Sequence, residues 1–494
     1  MTALFFALTL QIALGAFDTL YHHEFTERLT WRPAAARELR LHGLRNLIYA
    51  IVFAALGWSE WHGALAWLFA ALLAVEVVLT LWDFLVEDRT RLLPPSERVT
   101  HALLGINYGV ILALLAPELL RWAAASTGIL LIDHGIWSWL MTAAVAGVLF
   151  WGVRDSFRAI RLGRPRPPAA ALVTPHLPGR HSVLITGGTG FIGRRLAEAL
   201  IDAGHRVAIL TRDPRKAAFI RGPVTLIDDL DRLGDDFAFD AIVNLAGEPH
   251  GRWTAAKKRK LLGSRLAVTE AVLRFIARSR VKPQVLLSGS AIGIYAEGTD
   301  NFSRDLCETW ERCARAAENH GVRVVLLRTG IVLDADGGPL GQMLLPFELG
   351  LGGRLGHGRQ WMSWIHRDDL VALIVCAIGN PALRGPLDAT APAPVTNAAF
   401  AKELGHALRR PALFPVPAFV LRALLGQMAD EIMLSGPRVL PTRAVEAGFT
   451  FRFPTLDAAF REILRLRADR RPALRHPFET RRSPTGPSRP PIGG

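Results

Sequence analysis

Residues 182–193 place a short apolar run directly before a glycine-rich turn. The segment reads SVLITGGTGFIG, with glycines at positions 187, 190 and 193. In a strand–turn–helix unit the first glycine permits a tight turn, the second lets the backbone approach a pyrophosphate, and the third lets the helix pack on the strand. With a helix expected over 194–203 and a second strand over 206–210, the segment predicts a dinucleotide site at a helix N-terminus.

Beyond this unit, strand and helix patterns alternate along the chain. Strands are predicted at 207–210, 224–227, 241–245, 285–288 and 322–327, and helices at 255–279 and 307–320. Such alternation is typical of an α/β fold with a doubly wound parallel sheet. From 411 to about 466 the chain becomes proline-punctuated and mostly helical.

Five apolar stretches precede the glycine turn. They cover residues 2–21, 44–58, 63–86, 102–120 and 136–153. Most approach the ~20 residues that span a bilayer, although the second and fifth are short unless they extend into their flanks. No Lys or Arg precedes the first stretch, so we expect a retained span rather than a cleaved signal peptide. The sequence therefore predicts an all-α transmembrane bundle before the sheet.

The arginines between these stretches are distributed unevenly. They cluster at 28–45, 89–98 and 154–166, after the first, third and fifth stretches, whereas the other two loops offer only Arg121. Cytoplasmic loops carry an excess of Lys and Arg. The asymmetry predicts a bacterial inner-membrane protein with its N-terminus outside and everything after the fifth span in the cytoplasm.

Charge and cysteine content limit the function classes. The formal net charge is +14, but the basic residues are spread over short loops and an Arg/Pro tail, with no interleaved aromatics for base stacking. No nucleic-acid partner is therefore expected. The three cysteines lack metal-ligand spacing and fit a reduced compartment.

The residue that follows the second predicted strand is Arg212. An NAD-preferring site usually has an acidic residue there for the ribose 2′-hydroxyl, and an arginine favours NADP. Arg194 and Arg195 add positive charge to the first turn of the helix, which suits a bound anion. In the alternative interpretation all three arginines are solvated and Asp213 binds the ribose, which would make NAD the cofactor.

Several motifs in order give the region from 182 to about 460 a family resemblance. These motifs are TGGTGFIG at 186–193, NLAGEP at 244–249, Ser264-Arg265 with Thr269, SGSAIG at 288–293, Trp310-Glu311, LRTGIVL at 327–333 and GHGRQWMSWIHRDD at 356–369. By these motifs the region is similar to the epimerase-like family of atypical extended short-chain dehydrogenases/reductases, which have an NAD(P)-binding Rossmann domain and a small C-terminal helical domain.

This resemblance implies a set of cofactor-binding residues. Residues 245–247 would line the adenine side, Asp229 and Leu230 would approach the adenine, and Ser288 would border the nicotinamide. The full set is Thr186, Gly187, Gly188, Thr189, Gly190, Phe191, Ile192, Gly193, Arg212, Asp229, Leu230, Leu245, Ala246, Gly247 and Ser288.

The match to the catalytic residues of the superfamily is less complete. The resemblance implies the superfamily's catalytic arrangement of Ser, Tyr and Lys, in which tyrosine exchanges the hydroxyl proton and serine holds the carbonyl oxygen. Only Ser290 has a good match. Tyr295 is followed four places on by Thr299 instead of Lys, and the region expected to hold Tyr-x-x-x-Lys reads FSRDLC at 302–307. The candidate catalytic residues are Ser290, Tyr295 and Glu248.

The expected organisation has five parts. Residues 1–160 form the transmembrane bundle, 161–181 a Pro/Arg-rich linker, 182–410 the Rossmann domain, 411–466 the small helical domain and 467–494 a disordered basic tail.

The apolar region also contains ionisable residues near the arginine-rich ends of its spans. They are Asp18, His22, His23, Glu24, His42, Asp83, Glu87, Asp88, Glu97 and His101. Glu38 and His42, and likewise Glu97 and His101, are four residues apart and share a helix face. We expect a salt-bridge network with the neighbouring arginines and assign no metal ligands. A metal, haem or quinone site is the alternative, because ionisable groups at such depths are functional candidates and imidazole with carboxylate suits iron or zinc.

Together these patterns predict a membrane-anchored NADP-dependent oxidoreductase or epimerase-like protein. It would transfer a hydride on a small carbonyl or hydroxyl substrate. Two alternatives remain: a non-catalytic NADP(H) sensor coupled to the membrane helices, and a membrane redox module that receives electrons from NADPH.

Overall fold

A computed structural model describes residues 1–163, 167–297 and 301–465. The predicted tail at 467–494 lies outside the described residues. The first five helices are α1 Thr2–Phe17, α2 Ala36–Trp58, α3 Ala64–Thr90, α4 Pro95–Ala123 and α5 Ile136–Leu162. A π-helical segment, Asp18–Thr26, continues α1, and strands β1 (Ser59–His62) and β2 (Gly128–Leu131) pair antiparallel at the opposite end.

The five helices form a bundle in which α2 packs on α5 and α1 packs on α4. The helices α2 to α5 are each longer than their apolar stretches, because polar residues extend them: α4 begins at Pro95, and α3 continues to Thr90. With its π-helical continuation the first span runs from Thr2 to Thr26. All five are long and apolar enough to cross a membrane, by length and composition. Large apolar side chains such as Trp67, Ile106 and Phe157 point outward and are more than half exposed.

The remainder of the described chain, here called the α/β part (167–465), contains eleven strands. They are β3 Ser182–Thr186, β4 Arg206–Leu210, β5 Thr225–Ile227, β6 Ala241–Asn244, β7 Val285–Ala291, β8 Arg323–Thr329, β9 Ile331–Leu333, β10 Trp361–Met362, β11 Trp364–His366, β12 Gly385–Ala389 and β13 Val395–Thr396. Seven of them form one parallel sheet in the order β12-β8-β7-β6-β3-β4-β5. The order reverses between β3 and β6, which confirms the predicted doubly wound sheet and opens a crevice at their carboxyl ends.

Ten helices accompany these strands. They are α6 Phe191–Asp202, α7 Pro214–Ala217, α8 Ala255–Arg278, α9 Phe302–Arg315, α10 Gly338–Glu348, α11 Arg367–Gly379, α12 Asn397–Leu408, α13 Ala418–Leu425, α14 Thr442–Glu446 and α15 Leu456–Ile463. α6 and α11 cover one face of the large sheet, and α8 and α9 cover the other. The helix expected at 307–320 begins at Phe302, because the Asn301 side chain accepts a hydrogen bond from the Arg304 amide and caps it.

Helices on both sides of the predicted 410/411 boundary pack together. α10 and α12 precede it, yet Leu344, Phe400 and Phe460 from α10, α12 and α15 share one buried core. The small domain is therefore assembled from two separate stretches of chain. One stretch follows β8 and contains α10, and the other follows β12 and contains α12 and α15.

The predicted linker at 161–181 is partly folded. α5 continues to Leu162, and a 3₁₀ turn at Ala169–Leu172 packs on α6 and α11. Leu172 and Val173 are buried in the core of the large sheet. The second half of the predicted linker belongs to the α/β part, since its apolar residues complete the core of the large sheet.

The α/β part contacts one end of the bundle. Arg158 at the end of α5 stacks on Trp31 at 4.3 Å from the ring centroid and forms an ion pair with Glu348 of α10. Arg154 bridges Glu24 and Glu348. This end of the bundle carries the arginine-rich loops.

Candidate active site

The glycine turn between β3 and α6 is built by close backbone contacts. Gly187 has φ of +71°, and a Cβ there would lie 2.9 Å from the Leu245 carbonyl oxygen. A Cβ on Gly193 would lie 2.3 Å from the Gly187 carbonyl oxygen. Gly190 donates its amide to the Gly187 carbonyl at 3.0 Å and sits directly before α6, whose first turn therefore faces the crevice. These contacts leave no room for a side chain, as a site for a dinucleotide pyrophosphate requires.

The residues beside the turn divide into packed and accessible groups. Thr186 is fully buried, and its hydroxyl donates to Asn244 Oδ1 at 2.6 Å, so its side chain supports the floor of the crevice. Phe191 packs under the Arg367 guanidinium. The segment Leu245-Ala246-Gly247 emerges from β6 at the crevice and is partly or fully accessible. Ser288 on the neighbouring strand is buried, and its Oγ has no hydrogen-bond partner within the described ranges.

The end of β4 carries the residues expected to distinguish NADP from NAD. Arg212 is exposed and forms no ion pair or hydrogen bond with the part of the chain that the structure describes. Asp213, the alternative ribose ligand, accepts a hydrogen bond from the Arg215 amide at 3.2 Å and caps α7. Arg195 is committed elsewhere, because it forms two hydrogen bonds with Asp368 at 2.8 and 2.9 Å. Of the three arginines, Arg195 therefore does not fulfil the expected anion-binding role.

Asp229 and Leu230 lie after β5 and differ in accessibility. The Asp229 carboxylate accepts a hydrogen bond from the Asp231 amide and caps a 3₁₀ turn. Leu230 is buried among α8 residues, so its side chain belongs to the core. Of these two residues, Asp229 is the one whose side chain is exposed.

Ser290 is held by a charged group that sequence analysis did not assign. Its hydroxyl donates to Glu311 Oε1 at 2.7 Å, and the Arg328 guanidinium donates two hydrogen bonds to the same carboxylate at 2.9 Å each. Ser290 and Arg328 are register partners on β7 and β8. In this arrangement the Ser290 proton is directed to Glu311, and only its lone pairs are free.

Tyr295 joins the same network from the other side of Arg328. Arg328 donates to the Tyr295 hydroxyl at 2.7 Å, and that hydroxyl donates to Asp388 Oδ1 at 2.8 Å. Burial raises the pKa of Tyr295, the Arg328 hydrogen bond opposes this shift, and Asp388 adds to it. The phenol is 38% exposed, which leaves it accessible to a small molecule.

Glu248, the third candidate, lies apart from this network. Its carboxylate accepts a hydrogen bond from Lys257 Nζ at 2.7 Å, and this bond lowers the pKa of Glu248. A general acid must be protonated at the working pH. The ion pair therefore makes Glu248 a poor proton donor.

Three residues of the network, Glu311, Arg328 and Asp388, were missed as functional candidates. Glu311 and Arg328 lie within motifs that carried the family resemblance, so their position in the sequence was a usable signal. Asp388 lies near the end of β12, and no motif marked it.

The comparisons with known proteins agree with this geometry. Residues 183–387 match the family model described as "NAD dependent epimerase/dehydratase family", and residues 416–463 match "Domain of unknown function (DUF1731)". The epimerase family protein SDR39U1 of Bos taurus is 40% identical over 300 residues, which cover 57% of this chain and 99% of that protein.

The chain belongs to the SDR39U1 epimerase family. The Arabidopsis thaliana homolog, described as chloroplastic, is 40% identical over 303 residues, which cover 57% of this chain and 86% of that protein. The crystal structure of human SDR39U1 with NADPH has a TM-score of 0.52 and 35% identity, and the match covers 58% of this chain and 99% of that one. The Rossmann-like fold and its family are thereby confirmed.

Proposed function

We propose that the chain is a membrane-anchored, NADP-dependent oxidoreductase or epimerase-like enzyme acting by hydride transfer on a small carbonyl or hydroxyl compound. The observation that carries this proposal is the continuous hydrogen-bond network of Ser290, Glu311, Arg328, Tyr295 and Asp388. It joins two candidate catalytic residues at the carboxyl ends of β7 and β8.

The residues of the crevice fit a dinucleotide. Gly187, Gly190 and Gly193 form a close backbone turn at the start of α6, and Ser288 keeps a buried oxygen with no hydrogen-bond partner among the described residues. NADPH in the human relative and the exposed Arg212 beside the crevice both support NADP over NAD. When bound, the cofactor would supply or accept the hydride.

Tyr295 is the best-placed proton donor. Its hydroxyl proton points at Asp388, and a substrate oxygen that replaced this acceptor would receive the proton. The Arg328 cation donates to the same hydroxyl and would stabilise the phenolate that remains. In this chain Arg328 would thus supply the positive charge that the lysine of Tyr-x-x-x-Lys supplies, and it is anchored in turn by Glu311.

Several observations support membrane anchoring. Five helices are long and apolar enough to cross a bilayer, and they expose large apolar side chains such as Trp82 and Trp139. The α/β part contacts, through Glu348, the end that carries the arginine-rich loops, which the positive-inside rule assigns to the cytoplasm. The proposed topology has the N-terminus outside and the nucleotide site in the cytoplasm.

A non-catalytic NADP(H) sensor is the second candidate. Arg154 and Arg158 at the end of α5 both form ion pairs with Glu348 of the α/β part. Such contacts give a cofactor-dependent movement of α10 a direct route to the bundle. The sensor differs from the enzyme in needing no Tyr295 chemistry.

The test uses the full chain purified in detergent. NADPH binding is measured by fluorescence, followed by a panel of small aldehydes, ketones and alcohols monitored at the NADPH absorbance. Tight NADPH binding with turnover of a panel compound supports the enzyme. Tight binding without turnover of any compound, together with an unchanged phenotype for Tyr295→Phe in cells, would favour the sensor.

A further inference from the structure

A cluster of buried polar side chains lies inside the bundle, at the end that contacts the α/β part. We call it the bundle cluster; its members are Asp18, His23, Glu97 and His101. The first two come from the π-helical segment after α1, and the last two lie one turn apart on α4. Each offers one nitrogen or oxygen, and these four atoms lie within 4.8 Å of one another.

The spacing of these atoms matches a coordination polyhedron. Asp18 Oδ2 lies 3.3 Å from His23 Nε2 and 3.3 Å from His101 Nε2, and His23 Nε2 lies 3.6 Å from Glu97 Oε1. Metal bonds of ~2.0–2.2 Å to imidazole and carboxylate in a tetrahedron give ligand–ligand edges of about 3.3–3.6 Å. Three of the six donor–donor distances therefore match those between ligands of one ion, and the other three are at most 4.8 Å.

One of these donors is not satisfied by a hydrogen bond. The Nε2 atom of His23 is buried and makes no hydrogen bond with the described part of the chain, although it lies close to two carboxylates. A buried polar atom without a partner is costly and calls for an explanation. A metal ion between His23, Asp18 and Glu97 would satisfy it.

The other donors are oriented by neighbouring groups. Arg91 donates hydrogen bonds of 2.7 Å to both oxygens of Glu97. Asp18 Oδ1 is hydrogen-bonded to His22 Nδ1 at 2.9 Å, which leaves Oδ2 for the cluster. His101 turns its Nδ1 toward Glu87 at 3.4 Å while its Nε2 faces Asp18. Metal-bound histidines typically present their second nitrogen to a carboxylate in this way.

The charge of the surroundings favours a cation. Two guanidinium groups, Arg45 and Arg91, form ion pairs with five buried carboxylates, which are Glu38, Glu76, Asp83, Glu87 and Glu97. Asp18 is also buried, and its ion pairs are with histidines. Neither oxygen of Glu87 accepts a hydrogen bond within the described residues. Buried charges need opposite charges nearby, so positive charge must come from protonated histidines or from a bound ion.

We propose that the bundle cluster binds one divalent transition-metal ion, of the kind that takes imidazole and carboxylate ligands: zinc, iron(II) or manganese(II). The mixed donor set disfavours calcium and magnesium, which take oxygen ligands. A second group of His23, Glu38, His42 and Glu87 shares His23 with the cluster, so one ion per chain is expected. A cavity of about 540 Å³ borders Asp18, His23 and His101 and gives the ion access to a small molecule.

The experiment starts from the full chain in detergent, stripped with chelator and then dialysed separately against Zn²⁺, anaerobic Fe²⁺ and Mn²⁺. Metal content per chain is measured by mass spectrometry. We expect about one ion per chain with at least one metal, and at least tenfold weaker retention in His101→Ala. His62→Ala is the matched control, because His62 pairs with Glu60 at the other end of the bundle.

A second variant tests ligation directly. His101→Cys loaded with Co²⁺ should show a thiolate-to-cobalt charge-transfer band that the unmodified chain lacks. A single peak in size-exclusion chromatography in detergent and an unchanged helical circular-dichroism spectrum serve as the check that each variant has folded. The proposal is overturned if no metal is retained by the unmodified chain, if His101→Ala retains metal as the control does, if two ions bind, or if a folded His101→Cys binds cobalt without the band.

Discussion

The Arg328 guanidinium donates a hydrogen bond of 2.7 Å to the Tyr295 hydroxyl, and its carbon lies 5.0 Å from the centroid of the same ring. Arginine stays charged at every pH at which a protein is folded. The phenol therefore has a permanent cation beside it, although no lysine follows it four places along the chain.

We expect Tyr295→Phe to lower kcat by about 10²- to 10⁴-fold, the range typical of a lost general acid or base. NADPH affinity should stay within about twofold, because the phenol proton acts on the substrate. Tyr21→Phe, which removes an exposed phenol from the bundle, is the matched control. An unchanged kcat for Tyr295→Phe, with a comparable loss in Glu248→Gln, would instead make Glu248 the donor.

The pH dependence follows from the same pair. Burial raises the pKa of Tyr295 above 10.0, so the protonated donor persists to alkaline pH. For carbonyl reduction, kcat/KM should fall only as pH rises through this raised value. Arg328→Gln removes the cation that stabilises the phenolate, so its alkaline limb should move to still higher pH. Profiles of kcat/KM from pH 6 to 11 measure the limb; a limb below 10 in the unmodified chain contradicts the assignment.

We expect cofactor choice to depend on Arg212. NADPH should bind at least about tenfold more tightly than NADH, a difference of ~1.4 kcal/mol. Arg212→Ala should remove most of this gap, because the exposed guanidinium is free to meet a 2′-phosphate. Arg215→Ala is the control, since that arginine is exposed nearby and pairs with Asp213. Equal titration curves for the two cofactors in the unmodified chain would refute NADP preference.

The close contact at Gly193 gives a separate prediction. A Cβ on residue 193 would lie 2.3 Å from the Gly187 carbonyl oxygen, so Gly193→Ala must push the turn away from α6. We expect NADPH affinity to fall by at least tenfold in fluorescence titrations. Gly234→Ala, where a Cβ meets nothing within 4 Å, should bind NADPH as the unmodified chain does. Equal affinities for the two variants would show that the close contact at 193 does not shape the site.

Local patterns predicted the strand–turn–helix unit, since each glycine acts within a few residues of its neighbours in the sequence. β4 was predicted at its observed limits for the same reason. The pairing of Ser290 with Arg328 could not be read in this way, because it depends on the register of β7 and β8 and on α9 bringing Glu311 to them.

The bundle and the linker also contain contacts that local sequence patterns could not predict. The i, i+4 pairs predicted that Glu97 and His101 share a face, and the expected pairing with arginines is present through Arg91. The sequence alone did not indicate that Asp18 and His23 would meet that face, because their segment adopts a π-helix. Nor did the Pro/Arg-rich linker pattern predict that Leu172 would enter the core of the α/β part.

The last prediction concerns orientation in the membrane. Alkaline phosphatase is active only outside the cytoplasm. A reporter of the green fluorescent protein type is fluorescent only inside the cytoplasm, because it does not mature when it is exported unfolded. Fused after residue 163, at the end of α5, the fluorescent reporter should be active and the phosphatase inactive. Fused after Ala125, between α4 and β2, the two should exchange behaviour, because that end of the bundle has only Arg121 as a basic anchor. Replacing Arg28, Arg32, Arg37 and Arg40 by Gln lowers the charge bias of the first loop and should increase the fraction of inverted chains. Phosphatase activity at 163 in the unmodified chain would place the nucleotide site outside the cytoplasm, where NADPH is not supplied, and would contradict the proposed function together with the topology.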